Sequence, residues 1–272
     1  MRTAIALSLN SCAVQTSDLV TQDVGMEYCE KLGISTLVTN KVVNGKTYSD
    51  NTKTLALGGL TDGVYNYELC SAYAAIANNG VYNKPTLYTK VLDHDGNVLL
   101  DGTGESHQAI KDSTAGLLTS ALQTVVEEGT GKACQLDNMP VAGKTGTTTS
   151  NKDLWFVGYT PDLSTAVWIG DDASTNAGYT GGTIPAAIWR DYMYEAESGY
   201  TVKNFEIPAS VRSSMEKARA ARAKQEAEAA EKKKKEEAEK KKKALKDKVK
   251  SAGNKLLDRI SGRSAEKSGE KQ

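Results

Sequence analysis

Gly143-Lys144-Thr145-Gly146-Thr147-Thr148-Thr149 is the stretch that decides how this chain folds. Met139-Pro140-Val141-Ala142 leads into it, apolar and carrying a proline that breaks helix. A polar turn follows, and then the apolar run Leu154-Trp155-Phe156-Val157-Gly158-Tyr159. Threonine is β-branched and favours extended backbone, so the stretch reads as a strand. A glycine inside a strand marks close approach of a ligand or another backbone, and Gly146 stands in that position. The Lys144 ammonium would carry positive charge into the same space. Taken alone, the tripeptide Lys144-Thr145-Gly146 fits a surface strand with a solvated lysine equally well. The rest of the chain has to decide.

The 272 residues are enough for one sizeable domain with its own core, and 39% of them are hydrophobic. The net charge of zero conceals an asymmetry. Residues 1–210 hold 13 basic and 23 acidic side chains, whereas residues 211–272 hold 21 basic and 11 acidic. The chain therefore divides into an acidic domain, 1–210, and a basic Ala/Glu/Lys-rich tail, 211–272. The tail is built of strong helix formers but lacks an apolar stripe before Leu245, so it is expected to be a solvated helix or disordered. Leu245, Val249, Ala252, Leu256 and Ile260 fall at helical spacing, interrupted by Gly253. A solubilising tail is the simplest reading; an electrostatic grip on an anionic membrane or wall polymer is the sharper one. No apolar run is long enough for a transmembrane helix. The first ten residues are too short and too polar for a secretory signal and read better as a helix. Cys12, Cys29, Cys70 and Cys134 are widely and irregularly spaced, and neither they nor His94 and His107 make a metal pattern. No cofactor and no nucleic-acid partner is expected.

Residues 2–9 and 18–32 read as helices, the second with Asp18 as N-cap and Gly33 just past its end. Residues 35–63 are polar loop with short strands. Residues 67–79 make a clear helix with an apolar stripe of Leu69, Ala72, Tyr73, Ile76 and Ala77, Asn66 as N-cap and Gly80 beyond its end. Two β-prone runs around Asp93-His94-Asp95-Gly96-Asn97 read as a hairpin. Residues 113–128 form a helix capped by Asp112 or Ser113 and ended by Gly129. Residues 154–159 and 164–170 make a second hairpin, and a helix opens at Ile184-Pro185. Helices followed by an antiparallel strand cluster and a last helix give an α+β fold, an antiparallel sheet with helices packed on its faces.

Lys-Thr-Gly also occurs among the motifs of serine acyl-transfer enzymes that react with β-lactams. The match here extends well beyond the tripeptide. The run from Ser120 to Ala133, with its Gly129-Thr130-Gly131 turn, the strand Val141 to Thr148, and Asp153-Leu154-Trp155-Phe156-Val157-Gly158-Tyr159-Thr160-Pro161 all resemble the transpeptidase domain of bifunctional (class A) penicillin-binding proteins. So do Leu55-Ala56-Leu57-Gly58-Gly59, the run from Glu68 to Gly80, and Thr180-Gly181-Gly182 with Ala186-Ala187-Ile188-Trp189. The resemblance runs in order over about residues 1–196, and the joint match is far more specific than any one motif. It implies a β-lactamase/transpeptidase-like fold. It also implies a serine-type D,D-transpeptidase that crosslinks peptidoglycan stem peptides ending in D-Ala-D-Ala and binds β-lactams.

The second motif of that family, Ser-x-Asn, is matched by Ser8-Leu9-Asn10. The resemblance then assigns roles. Lys144 supplies positive charge to the substrate carboxylate and the Ser8 hydroxyl, and Ser8 relays a proton to the leaving group. Asn10 bonds the substrate's acyl side chain. Thr145 and Thr147 bind the carboxylate beside Gly146, and the Thr147 N–H forms half of an oxyanion hole. The first motif, Ser-x-x-Lys, carries the nucleophile and should precede Ser8; none stands there. The chain is therefore expected to be the C-terminal part of such a domain, incomplete at its N-terminus, and inactive alone. The parent is expected to sit at the outer face of the cytoplasmic membrane, anchored outside this chain. The alternatives are another serine acyl enzyme of the same fold, a β-lactamase or D,D-carboxypeptidase, or a truncated non-catalytic binding module.

Overall fold

A computed structural model describes residues 1–240 except 174, 210, 214, 218, 222 and 226. The chain divides into two units, Met1–Val211 and Arg212–Gln272. In chain order the first unit contains α1 (Arg2–Ala6), α2 (Asn10–Val20), α3 (Gln22–Lys31), β1 (Lys41–Val43), β2 (Lys46–Tyr48), α4 (Asn66–Ala77), β3 (Val81–Asn83), β4 (Lys90–Leu92), β5 (Val98–Asp101) and β6 (Ser106–Gln108). It continues with α5 (Asp112–Glu127), β7 (Ala142–Thr147), β8 (Leu154–Tyr159), β9 (Ser164–Ile169) and α6 (Ile184–Ala196).

The core is built on one antiparallel sheet of order β7-β8-β9. Gly143 faces Gly158, Lys144 faces Val157, and Trp155 faces Gly146 on one side and Trp168 on the other. β8 is the central strand, and it is apolar at nearly every position because both of its faces are covered. Phe156 points to one face, where it packs with Trp189 and Met193 of α6 and with Val126 and Cys134. The Phe156 and Trp189 rings meet edge to face at 5.3 Å, and the Trp189 indole N–H donates to Thr165 O at 3.0 Å. Tyr159 points to the opposite face, against Leu122 and Val125 of α5 and Tyr73, Ile76 and Ala77 of α4. Its hydroxyl bonds Thr119 at 2.9 Å, so burying it leaves no polar atom stranded. α5 contributes to both clusters, which explains why it is buried over most of its circumference.

The expected helices at 67–79, 113–128 and 184–195 and both hairpins are present with shifts of no more than two residues at their ends. The expected side-chain N-caps are not. The N-cap positions of α4 and α5 are Tyr65 and Lys111, neither of which makes a side-chain cap bond; the Asn66 amide reaches across to Ala166 O at 3.3 Å. Residues 18–32 are not one helix. Thr21, at φ 80°, separates α2 from α3, so Asp18 lies inside α2. The expected helix over 2–9 also stops early, at Ala6.

The polar loop after α3 is ordered by two buried carboxylates. Asp50 accepts from Val38 N–H at 2.9 Å, Thr61 N–H at 2.7 Å and the Thr61 hydroxyl at 2.6 Å. Burial pushes its carboxyl up, and these bonds outweigh it, leaving it below the ordinary value. Glu68 of α4 accepts from the Ser35 N–H at 3.1 Å and hydroxyl at 2.5 Å. β3 pairs with β6, and the β4–β5 hairpin is exposed along its whole length. All four cysteines are free thiols.

In the second unit, the described residues up to 240 are helical and almost all exposed, with Glu231 and Lys235 paired at 2.7 Å. Leu245, Val249, Ala252, Leu256 and Ile260 lie outside the described residues.

Candidate active site

Ser8 owes its position to how α1 ends. Leu9 N–H bonds Ala4 O at 2.9 Å and Ser8 N–H bonds Ile5 O at 3.2 Å, the paired bonds of a Schellman cap. Such a cap puts one residue in left-handed backbone, usually glycine, and here that residue is Ser8 at φ 53°. The turn lifts its side chain off the helix axis, and α2 starts two residues later at Asn10. α1 itself is pinned to α5: the Arg2 guanidinium donates to Ser120 O and, at 3.0 Å, to the Thr124 hydroxyl. Its last carbonyl, Ala6 O, accepts from Thr130 N–H at 3.1 Å. A Cβ on Gly129 would lie 2.2 Å from that same oxygen, so the turn after α5 can come this close only with glycine there.

β7 forms the facing wall. It is an edge strand, buried at Ala142 and Gly143, half-open from Lys144 to Gly146 and exposed at Thr147. Strand alternation puts Lys144 and Gly146 on one face and Thr145 and Thr147 on the other. The Lys144 ammonium donates to Ser8 Oγ at 2.7 Å and to Thr145 O at 2.9 Å. Residues 136 positions apart in sequence thus meet in one hydrogen bond. On the other face the Thr145 and Thr130 hydroxyls are 2.7 Å apart, and Thr147 Oγ1 accepts from Gly181 N–H at 3.0 Å. Gly181 is packed so tightly that a Cβ would sit 2.2 Å from Trp155 O and 2.3 Å from Gly146 O. At Gly146 a Cβ would begin only 3.0 Å from the Cβ of its cross-strand partner Trp155, so glycine there makes way for the Trp155 side chain.

Partial burial lowers the Lys144 ammonium to about 8. A cation poised near neutrality can hold an anion and can also give up or accept a proton. Thr147 accepts from Gly181 and keeps its own proton to donate. The Thr145/Thr130 pair spends one proton internally and has one to spare. β7 therefore carries one cation on one face and two available hydroxyl protons on the other, donors of the kinds that bind carboxylates.

Ser8 and Lys144 are brought together on one face of β7, whereas Thr145 and Thr147 bond Thr130 and Gly181 on the other, with Gly146 between them in the strand. Asn10 stands two residues after Ser8 at the exposed start of α2, and its side chain makes no hydrogen bond among the described residues. Sequence reasoning did not single out Thr130 or Gly181 as site residues. Both stand in glycine-rich turns, Gly129-Thr130-Gly131 and Thr180-Gly181-Gly182, and the clustered glycines were the available signal. Among the described residues, no group of three or more His, Cys, Asp or Glu side chains could hold a metal ion.

The family model for the penicillin binding protein transpeptidase domain matches residues 1–194. Penicillin-binding protein 1A of Clostridium acetobutylicum is 34% identical over 212 residues, which are 78% of this chain and 25% of that protein. Penicillin-binding protein 1A of Clostridium perfringens is 36% identical over 217 residues, 77% of this chain and 25% of that protein. The chain thus spans about a quarter of the length of these curated relatives. Among solved structures, PonA1 of Mycobacterium tuberculosis in complex with penicillin V superposes with a TM-score of 0.65 at 28% identity, over 77% of this chain and 59% of that one. With the sheet, the helices on both its faces and the Ser8–Lys144 contact in place, these matches show that the chain belongs to the penicillin-binding protein transpeptidase family.

Proposed function

We propose that this chain supplies the carboxylate-binding and proton-relay wall of a D,D-transpeptidase that crosslinks peptidoglycan stem peptides. The observation that carries the reading is the 2.7 Å bond from Lys144 Nζ to Ser8 Oγ at the open half of β7. In the reaction, a serine hydroxyl attacks the carbonyl of the penultimate D-Ala, and the amide bond to the terminal D-Ala breaks. The departing amine needs a proton, and Ser8, bonded to an ammonium of low pKa, is placed to hand one over. Thr145 and Thr147 hold the terminal carboxylate, Gly146 lets the substrate backbone approach the strand, and Asn10 bonds the acyl side chain. The Thr147 N–H serves as one oxyanion donor; removing such a donor costs about 10² to 10³ in rate. A β-lactam presents the same carboxylate and reactive carbonyl and occupies the same wall.

The attacking serine belongs to a Ser-x-x-Lys that the family resemblance places before Ser8, and we propose that it is not among these 272 residues. Ser-x-x-Lys does occur at Ser214-Met215-Glu216-Lys217, Ser264-Ala265-Glu266-Lys267 and Ser268-Gly269-Glu270-Lys271. These follow the Lys144 strand instead of preceding Ser8, in the segment where lysine is most abundant. Ser214, Ser264 and Ser268 all lie outside the described residues. Residues 1–210 form the transpeptidase part and residues 211–272 a basic appendage that meets anionic membrane or wall polymer. The parent works at the outer face of the cytoplasmic membrane; within the described residues no helix is long and apolar enough to cross it.

A fluorescent penicillin tests the reading. Its anisotropy should rise saturably as this chain is added, and no label should remain after denaturation. No rise contradicts the binding wall, and label surviving on a denaturing gel contradicts the absent nucleophile.

A further inference from the structure

Thr130 occupies a position that its role in a turn does not explain. Its N–H holds Ala6 O, two residues before Ser8, at 3.1 Å. Its hydroxyl lies 2.7 Å from Thr145 Oγ1 on β7. Its own carbonyl is covered by Gly182, where a Cβ would come within 2.2 Å. One residue therefore ties together the α1 end that carries Ser8, the strand that carries Lys144, and the glycine turn that binds Thr147.

The direction of the Thr130–Thr145 bond follows from what lies beside it. Thr147 shares a strand face with Thr145 and keeps its proton, because Gly181 N–H occupies its lone pair. The two strand hydroxyls can converge on a single anion only if Thr145 also keeps its proton free, which requires Thr130 to be the donor. An anion in the cleft favours this arrangement, since a hydroxyl that accepts a bond becomes a stronger donor.

We propose that Thr130 is a positioning residue of the anion-binding wall: it donates to Thr145 Oγ1 and so turns the Thr145 proton toward the C-terminal carboxylate of the peptide substrate. The inference rests on the reading of the cleft as a D-Ala-D-Ala site, and its test separates the two. An N-acetylated peptide ending in D-Ala-D-Ala and its C-terminal amide are titrated into the full chain, with dissociation constants read by NMR. Wild type binds the acid more tightly than the amide. Thr130→Val removes the hydroxyl at nearly constant shape; Thr145 keeps its own hydroxyl and loses only the neutral bond that orients it, so the acid-to-amide preference falls about threefold to fivefold. Thr130→Ser keeps the hydroxyl and keeps the preference. A loss of packing alone would weaken both peptides equally and leave the ratio unchanged. Should the valine variant fail to fold, Thr130→Ala removes the hydroxyl without adding bulk and must show the same fall in ratio. An unchanged ratio in a folded hydroxyl-free variant overturns the role of Thr130 and leaves the site reading standing. A wild-type chain that does not distinguish acid from amide overturns both.

Discussion

Lys144→Met should make the domain more stable at neutral pH while disabling the cleft. Lys144 sits half-buried, and burial lowers its ammonium from 10.5 to about 8. Each unit of such a shift corresponds to about 1.4 kcal/mol, so keeping this lysine charged in the folded state costs at most about 3.5 kcal/mol, less whatever solvent at the half-open strand screens. The sign with pH is fixed. Below pH 8 both folded and unfolded chains carry the proton, and the full cost is present. Between about 8 and 10.5 the folded chain has released the proton and the unfolded chain has not, so wild-type stability rises with pH. Above 10.5 both are neutral and the cost is gone. Methionine fills similar space without a charge, but it leaves Ser8 Oγ and Thr145 O without the ammonium's bonds. Both oxygens lie where water reaches, so that loss offsets about 1 kcal/mol. The net expectation is a gain of about 1 to 2 kcal/mol for Lys144→Met at pH 7, shrinking toward zero or below by pH 10. Urea unfolding of both proteins at pH 7, 8, 9 and 10 measures it, and taking the difference cancels the tyrosines that titrate alike in each. A variant less stable than wild type by more than about 1 kcal/mol at pH 7, or a difference flat across this range, would refute the desolvated-lysine reasoning.

Other substitutions probe the same walls. Ser8→Gly should exceed Ser8→Ala in stability by about 1 kcal/mol, the reverse of the helix ranking, because residue 8 sits at positive φ; equal melting temperatures would contradict the cap geometry. Gly181→Ala should destabilise by more than about 2 kcal/mol, since the new methyl meets the carbonyl oxygens of Gly146 and Trp155, and backbone cannot swing aside. A variant melting within a few degrees of wild type would show that the Thr180-Gly181-Gly182 turn is not held against β7.

The large elements were legible in the sequence because their physics is local. The stripe of Leu117, Leu118, Ala121, Leu122, Val125 and Val126 marks α5, and the unbroken apolar run 154–159 marks a strand covered on both faces. The Lys144 strand was legible because threonine and glycine cannot be explained by helix there. The N-terminal region was misread because its breaks fall on non-glycine residues. Ser8 and Thr21 adopt positive φ with no glycine to announce it, so residues 10–17 of α2 are assigned to no helix by the sequence and 18–20 are joined to α3. The β3–β6 pair escaped notice for another reason: each strand has three residues, and their partners are set by packing over 25 positions of chain, not by local pattern. N-caps were overcalled since Asn and Asp before a helix also serve distant contacts, as Asn66 does with Ala166 O. At the site, the motif residues were visible, while Thr130 and Gly181 act through hydrogen bonds to β7 that only the fold creates.

The most direct test of the cleft is where an acid-terminated D-Ala-D-Ala peptide perturbs the backbone amide spectrum of this chain. The expected result is a cluster of shifts at Ser8, Asn10 and 144–147, saturating together and absent with the C-terminal amide. Shifts scattered elsewhere, or none at millimolar peptide, would contradict the assignment of these residues to one carboxylate-binding wall.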